Sequence, residues 1–568
     1  MKKIYLFIAT VLFSINANAQ SPGWQWAKSM GDVGSDAGNS VVVDGNGNVY
    51  TTGTFVATVD FDPGVGIFQL TSVDPTVIDA FVSKSDSAGN FIWAKSFGGS
   101  DMDAGRSIVF DSSGSGAVYF AGNFRGTADF DPNAGGFNLI STSTGINDIF
   151  ISKLDTAGNL LWAKGMGGSE DDVAYSLSID PSGSGNVYCI GTFRSTADFD
   201  PNAGTVNLTS AGNTDIFVSK YNSSGNLVWA RQMGGTAADW ALFTAKCPSG
   251  TDVYTTGYFS GSGDFDPGTG VATLTSAGLD DVFISKLDSS GNFVWAKSLG
   301  GANGDYGSSI ATDVAGNVYT TGHFQVMADF DPGIASYPLT SVGSDDIFVS
   351  KLDNAGNFVW AKAFGGGTYD TGNDIVVDYS GNVYTVGGFL GTVDFDPGAG
   401  SANLTAAGNV DIFISSLDAT GNFNWAKQTG GNNGDNCRAI VLDPSGQFTM
   451  TGSFSSNTLI FGPSTLPNLG QSDIFIARLD TIITTGIETI STDQFPIHIF
   501  PNPFTDELTV NSTMQGEIKI YDICGRIVYT ETLSSFSTHQ ITANWQKGIY
   551  FVEVITDEGR VVRKVVKQ

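Results

Sequence analysis

The chain carries 57 Asp+Glu against 27 Lys+Arg over 568 residues, a net charge of −30, and that field repels phosphate backbones and anionic lipid surfaces, which argues against a nucleic-acid partner. Its 73 glycines, 12% aromatics and only 15% charged residues, where about 25% charged is the globular norm, suit many short strands joined by tight turns. An all-β protein is expected, long enough for one very large unit or several domains.

The first residues, MKKIYLFIATVLFSINANAQ, join two lysines, an apolar run and Ala-Asn-Ala, so residues 1–19 read as a signal peptide with the mature chain starting at Gln20. No Cys follows that point to take a lipid. No later stretch has the ~18 consecutive apolar residues of a membrane helix. An exported, soluble protein without a transmembrane span is expected, and a monomer. Export permits disulfides, yet Cys189, Cys247, Cys437 and Cys524 occupy unrelated positions and read as buried small apolar residues rather than a framework or zinc site.

Trp26, Trp93, Trp162, Trp229, Trp295, Trp360 and Trp425 each open a Trp-Ala-Lys or Trp-Ala-Arg, at spacings of 67, 69, 67, 66, 65 and 65. A repeat of this length marks an array architecture. Each copy holds four β-prone runs, for example GSSIATD, NVYTTGHF, DIFVSKLD and NFVWAKAF, hereafter strands a, b, c and d, separated by Gly, Asn and Asp clusters. The a–b and c–d links are of hairpin length. Four antiparallel strands repeated radially describe a propeller blade. The phase of the repeat adds closure. The chain starts on strand d (WQWAKSM) and its last repeat ends on strand c (DIFIARLD), so the first strand completes the last blade, whereas a solenoid would need polar caps at both ends. The expectation is a closed seven-bladed β-propeller over residues 20–480.

Phrases such as DIFVSKLDNAGNFVWAK and GNVYTTGHF resemble the secreted bacterial β-propeller repeat family. That resemblance implies a fold and not a reaction. Residues 481–496 read as a linker, and residues 497–568 carry other phrases: Phe500-Pro501-Asn502-Pro503, Tyr521 to Gly525-Arg526, Gly548-Ile549-Tyr550 and a basic tail. Alternation within these runs predicts a small β-sandwich. The phrases resemble the C-terminal sorting domain of type IX secretion, which implies the type IX machinery as a partner and a secreted or outer-surface destination.

Six copies of DFDPG or DFDPN lie in the b–c connections, at Asp60 and Asp62, Asp129 and Asp131, Asp198 and Asp200, Asp264 and Asp266, Asp329 and Asp331, and Asp394 and Asp396. In extended chain the paired carboxylates point one way, about 7 Å apart, and the Phe the other. With loop carbonyls they supply part of the roughly six to eight oxygens that Ca²⁺ takes, although no EF-hand pattern is present. The alternative is that Asp caps the turn and Pro fixes the bend. The seventh copy, IFGPS (460–464), keeps Phe and Pro and loses both carboxylates. Phe and Pro therefore read as architecture, and the twelve aspartates as candidate Ca²⁺ ligands. Two further sets, Asp36, Asp103, Asp172, Asp239, Asp305, Asp370 and Asp435 before strand a, and Asp79, Asp148, Asp215, Asp281, Asp346, Asp411 and Asp473 before strand c, occur in every copy. They read as turn and strand-start residues bonded to backbone amides.

The repeated tryptophans read as packing between blades; Trp24 and Trp240 depart from the repeat and are weak ligand candidates. His323 is the one histidine before the C-terminal unit, so no catalytic triad or His-metal cluster is found and no catalytic residue is assigned. Two functions stand. The first is a non-catalytic surface or secreted binding module for glycan, matrix or a basic protein, Ca²⁺-dependent or not. The second is a polysaccharide hydrolase or lyase using an Asp/Glu pair on the acidic face.

Overall fold

The computed structural model describes residues 22–112, 116–133, 135–246, 250, 252–443, 445–480, 497–500, 504–512, 515–522, 527–534, 537–556 and 559–567. The stretch expected to be a signal peptide, the expected linker, Cys247, Cys524 and the PNP and GR phrases of the C-terminal unit lie outside these residues. The chain divides into one compact unit through Ile483 and a second from Thr484 onward.

Among the described residues of the first unit, the pairings form seven four-stranded antiparallel meanders. The first comprises Ala37–Val43 (a), Val49–Val56 (b), Ile78–Ser85 (c) and Phe91–Gly99 (d). Strands b and c are buried almost throughout, Val383–Phe389 and Asp411–Leu417 at every residue, because neighbouring meanders cover both faces; hence these runs show no exposed polar face, and even Thr385 and Ser415 are buried. The a strands neighbour one another in a closed circuit, Asp435–Leu442 of the seventh lying against Ala37–Val43 of the first. The seventh meander takes its outer strand from the start of the chain: Trp24–Met30 pairs with Asp473–Asp480, Trp26 opposite Arg478 and Met30 opposite Ile474. The unit is a β-propeller.

Each repeated Trp seals one meander to the next. Trp26 Nε1 donates to Ser87 O at 3.1 Å, Trp229 Nε1 to Ser289 O at 3.1 Å and Trp360 Nε1 to Ala419 O at 3.2 Å. Six of the rings, all but Trp425, rest on c–d turn glycines held at positive φ, such as Gly89 at 77° and Gly291 at 76°, where any side chain would strike the indole.

The b–c connection is a second hairpin. Thr58–Asp60 pairs with Gln69–Thr71, and in the fourth and fifth meanders the extension fuses into long strands, Val253–Asp264 and Thr273–Leu287, and Val318–Asp329 and Pro338–Leu352. Each of the six DFDP hairpins reaches back to the preceding strand d: Asp129 lies opposite Gly98, Asp198 opposite Gly167 and Asp329 opposite Gly300. Its root turns through a residue at positive φ, which is Gly at Gly126, Gly261 and Gly391 but Ala57 (62°), Ser195 (55°) and Val326 (59°) elsewhere. A β-branched residue is strained there. Val326 is 56% exposed, so Val326→Gly forfeits little packing and is expected to raise unfolding free energy by about 0.5–1 kcal/mol in urea titration.

The second unit has a three-stranded sheet (Ile497–Phe500, Glu507–Ser512, Ser537–Thr542) and a four-stranded one (Gly516–Asp522, Ile527–Leu533, Gly548–Thr556, Gly559–Lys567). Leu508, Val510 and Ile541 of the first meet Ile518, Ile520, Val552 and Val554 of the second in one buried core, as in a small sandwich.

Candidate functional site

The DFDP carboxylates face their own loop. Asp60 Oδ1 accepts from the amides of Asp62 (3.0 Å) and Phe68 (2.8 Å), and Asp62 Oδ1 from Gly64 (2.8 Å). The same three bonds recur at Asp129 and Asp131, Asp198 and Asp200, Asp264 and Asp266, Asp329 and Asp331, and Asp394 and Asp396, at 2.7–3.1 Å. The Phe between them is buried in all six loops, and so is Phe461 of the copy lacking the aspartates. Among the described residues no group of three or more His, Cys, Asp or Glu is placed to hold a metal ion.

The aspartates common to all copies form buried pairs between meanders. Asp103 takes the amides of Gly99 (2.7 Å) and Arg125 (3.2 Å), and Asp79 takes that of Val73 (2.9 Å). A methyl group on Gly98 would lie 2.6 Å from Asp79 Oδ1 and 2.9 Å from Asp103 Oδ2, so that glycine is obligatory and the two carboxyls face one another across it. The other pairs are Asp148 with Asp172, Asp215 with Asp239, Asp281 with Asp305, Asp346 with Asp370, Asp411 with Asp435, and Asp473 with Asp36. Oδ1 of Asp79, Asp148, Asp215, Asp281, Asp411 and Asp473 is buried without a hydrogen-bond partner. Burial, then the neighbouring carboxylate, pushes Asp103 and Asp172 up to about 8; burial likewise pushes Asp36, Asp79 and Asp305 up to about 7.

The central channel differs from the rest because its lining does not repeat. Every a strand bulges three residues after its leading Asp, between Gly38 and Ser40, Gly105 and Ser107, Ala174 and Ser176, and equivalently onward. The bulged residues are Asn39, Arg106, Tyr175, Leu242, Ser308, Asn373 and Arg438. A bulge re-aims its side chain out of the sheet, and at this position Arg438 of the seventh meander reaches Asn39 of the first. The residue after the bulge ties the inner strands together: Ser40 Oγ accepts from Ile108 N (3.2 Å), Ser107 Oγ from Leu177 N (3.0 Å), and Asp374 from Ser309 Oγ (2.6 Å) and Ile440 N (2.8 Å).

At the same end an arc of rings crosses the third to sixth meanders. Tyr175 lies 6.1 Å from Trp240, which stacks on Tyr258 at 6.2 Å and 13°; Tyr258 meets Tyr306 at 4.9 Å, Tyr306 stacks on His323 at 4.8 Å, and His323 meets Tyr369 at 5.9 Å. Tyr369 is 48% exposed and the others are half-buried. Polar groups edge the arc. Asp280 accepts from Tyr306 OH at 3.1 Å and from Ser260, Asp345 from Gln325 Nε2 at 2.8 Å, and Arg194 Nε donates to Thr214 Oγ1 at 2.9 Å. Burial lowers His323 to about 4, so it is a neutral ring at pH 7. The weak candidate Trp240 thus sits mid-arc, whereas Trp24 packs edge-on against Phe461 at 4.8 Å. Cys189 and Cys437 are buried free thiols, pushed far above their usual range by burial.

The opposite mouth of the channel is a cavity of about 470 Å³ lined by Phe243, Ile310, Val376, Tyr379, Tyr384 and Leu442 among others. Asp313, Asp378 and Asp443 there cap their own a–b turns, as Asp378 does for Ser380 and Asn382.

Residues 498–568 match a secretion system C-terminal sorting domain and residues 294–323 a β-propeller repeat. The chain joins a β-propeller to a type IX sorting domain. The propeller–sorting-domain chain is therefore destined for secretion or the outer cell surface, and no helix of its described residues is long and apolar enough to cross a membrane. It is 22% identical over 511 residues to the uncharacterized WD repeat-containing protein L264 of Acanthamoeba polyphaga mimivirus, covering 77% of this chain and 36% of that protein. It is 24% identical over 290 residues to the regulatory protein FlaEY of Caulobacter vibrioides, covering 48% of this chain and 30% of that one, so it spans about a third of the curated relatives it matches. Among solved structures, Sqt1 from Chaetomium thermophilum aligns over 75% of this chain and 96% of its own at TM-score 0.36 and 10% identity. Dimeric latent PorU from Porphyromonas gingivalis aligns over 74% and 31% at TM-score 0.11 and 10% identity.

Proposed function

We propose that the exported propeller is a non-catalytic binding module that takes saccharides on the arc Tyr175, Trp240, Tyr258, Tyr306, His323 and Tyr369. The observation that carries this reading is the confinement of the arc to consecutive meanders of an otherwise uniform repeat. Partly exposed rings supply flat apolar faces for sugar C–H groups, and the Asp, Gln, Arg and Thr groups at their edges supply hydrogen bonds to hydroxyls. One asymmetric site replaces the repeated acidic face as the preferred ligand surface. Calcium binding at the DFDP loops is a separate proposal, read out by calcium titration of the mature chain.

The test is calorimetry of the mature chain with neutral and acidic oligosaccharides. Trp240→Ala and Tyr306→Ala are expected to weaken binding at least about tenfold, the loss of one stacked ring. Tyr379→Ala, 82% exposed at the opposite mouth, is expected to leave it unchanged. Unaltered affinity in Trp240→Ala would sink the reading. Release of new reducing ends or unsaturated products would move the protein to the hydrolase or lyase class.

A further inference from the structure

Arg106 and Arg438 are out of place by charge. In a chain of net charge −30, neither forms an ion pair among the described residues, whereas Arg125 lies 4.0 Å from Asp171 and Arg478 pairs with Asp443. Both occupy the bulge position, on meanders that flank the first, and Asn39 of the first joins them. Arg438 Nη1 donates to Asn39 Oδ1 at 2.5 Å, and Asn39 Nδ2 donates to Gly105 O, the residue before Arg106, at 2.8 Å. The Arg106 guanidinium lies 5.0 Å over the Tyr175 ring, the first ring of the arc, and its Nε donates to Asn123 Oδ1 at 2.8 Å. These partners are neutral amides and a ring. They aim and hold the guanidiniums without neutralising them. Arg438 stays open to solvent although inner strands surround it; the surrounding protein, and after it the charge of Arg106, disfavour its own charge.

Two like charges converging without a counter-ion cost free energy that an anion recovers, and guanidinium forks match planar or tetrahedral oxyanions. We propose that Arg106 and Arg438, with Asn39 between them, form a site for one anionic oxygen group, the carboxylate or sulfate of an acidic saccharide whose sugar rings lie on the arc. Identification of the carrier as a saccharide rests on the function proposed above; the anion site does not.

Two measurements on the mature chain separate these claims. In thermal melts, inorganic sulfate at about 10 mM is expected to raise the Tm of the wild type by a few degrees, as a ligand bound only to the folded state does, and to leave Arg106→Gln and Arg438→Gln unmoved. In calorimetry, oligogalacturonate and dextran sulfate represent the carboxylate and sulfate arms and dextran the neutral reference. At least one acidic chain is expected to bind about tenfold or more tighter than dextran, the arm that does so naming the group, with the preference lost in either Arg variant. Equal binding of acidic and neutral chains, or a preference that survives in both variants, overturns the anion site. If dextran binds through Trp240 while sulfate and both Arg variants have no effect, this inference falls and the saccharide reading stands. If sulfate stabilises through both arginines and no saccharide binds, the saccharide reading falls and the anion site stands.

Discussion

The melting temperature of the mature chain is expected to be highest near pH 5 and to fall by about 5 °C or more between pH 5 and pH 8. The sign follows from the buried pairs. Asp36, Asp79, Asp103, Asp172 and Asp305 have folded-state values of about 7 to 8, above the roughly 3.9 of an unfolded Asp. The folded state binds protons more tightly, so their contribution is fully favourable below about pH 4 and is lost as pH rises through the folded values. Like carboxyls facing each other cannot both ionise cheaply. The c–d turn aspartates oppose this at the acid end. Asp418, whose desolvation is outweighed by several amide and hydroxyl hydrogen bonds that together lower it to about 2, and Asp86, Asp288 and Asp353, lowered likewise, contribute stability present above about pH 4 and lost below it. Asp79→Asn keeps an acceptor for Val73 N and turns the partnerless oxygen into a donor facing Asp103, so it is expected to raise Tm at pH 8 and flatten the slope, while the exposed-loop Asp62→Asn is expected to do neither. A profile flat in buffer that steepens with chelator would show instead that a bound cation neutralises the pairs.

Deleting the first strand, residues 22–30, is expected to cost on the order of 5 kcal/mol or more and to lower Tm by roughly 10 °C. Trp24–Met30 supplies the whole outer strand of the seventh meander, buries Ala27 and Met30, and places Trp26 on Gly89 of the first. Without it, Asp473–Asp480, buried at all but its last residue, becomes an open apolar edge, the form of strand that recruits other chains. Light scattering should show oligomers of the deleted chain at concentrations where the intact chain is monodisperse. Supplying WQWAKSM as a free peptide should restore part of the lost Tm. A deleted chain that stays monomeric and melts as before would mean that the ring does not depend on its closing strand.

The strands, their order and the closing role of WQWAKSM were legible because burial of both faces of strands b and c enforces one phrase seven times. The tryptophans were legible for the same reason, six of the seven meeting the same turn glycine. The DFDP phrase was legible as a turn through Phe and Pro and ambiguous through its aspartates, because an Asp that accepts amides two and eight residues ahead has the same composition as an Asp that awaits a cation. The pairing of each DFDP hairpin with the preceding strand d was missed: Gly98 and Asp129 lie a repeat boundary apart, and nothing in either phrase names its partner. The channel was missed for the opposite reason. Asn39, Arg106, Tyr175, Leu242, Ser308, Asn373 and Arg438 share one repeat position and almost no chemistry, so attention to what recurs passes over them, although that variability was itself the signal.

The closing pairing also fixes how the propeller bears load. Chain entry and chain exit meet at one edge, where Asp480 N donates to Gly23 O at 2.9 Å, and the route to the sorting domain leaves from Asp480. A pull on the chain from its C-terminal side therefore enters along Asp473–Asp480, a strand hydrogen-bonded on one side to Gln447–Phe454 and on the other to Trp24–Met30. Traction along such a strand must shear two ladders at once rather than unzip one.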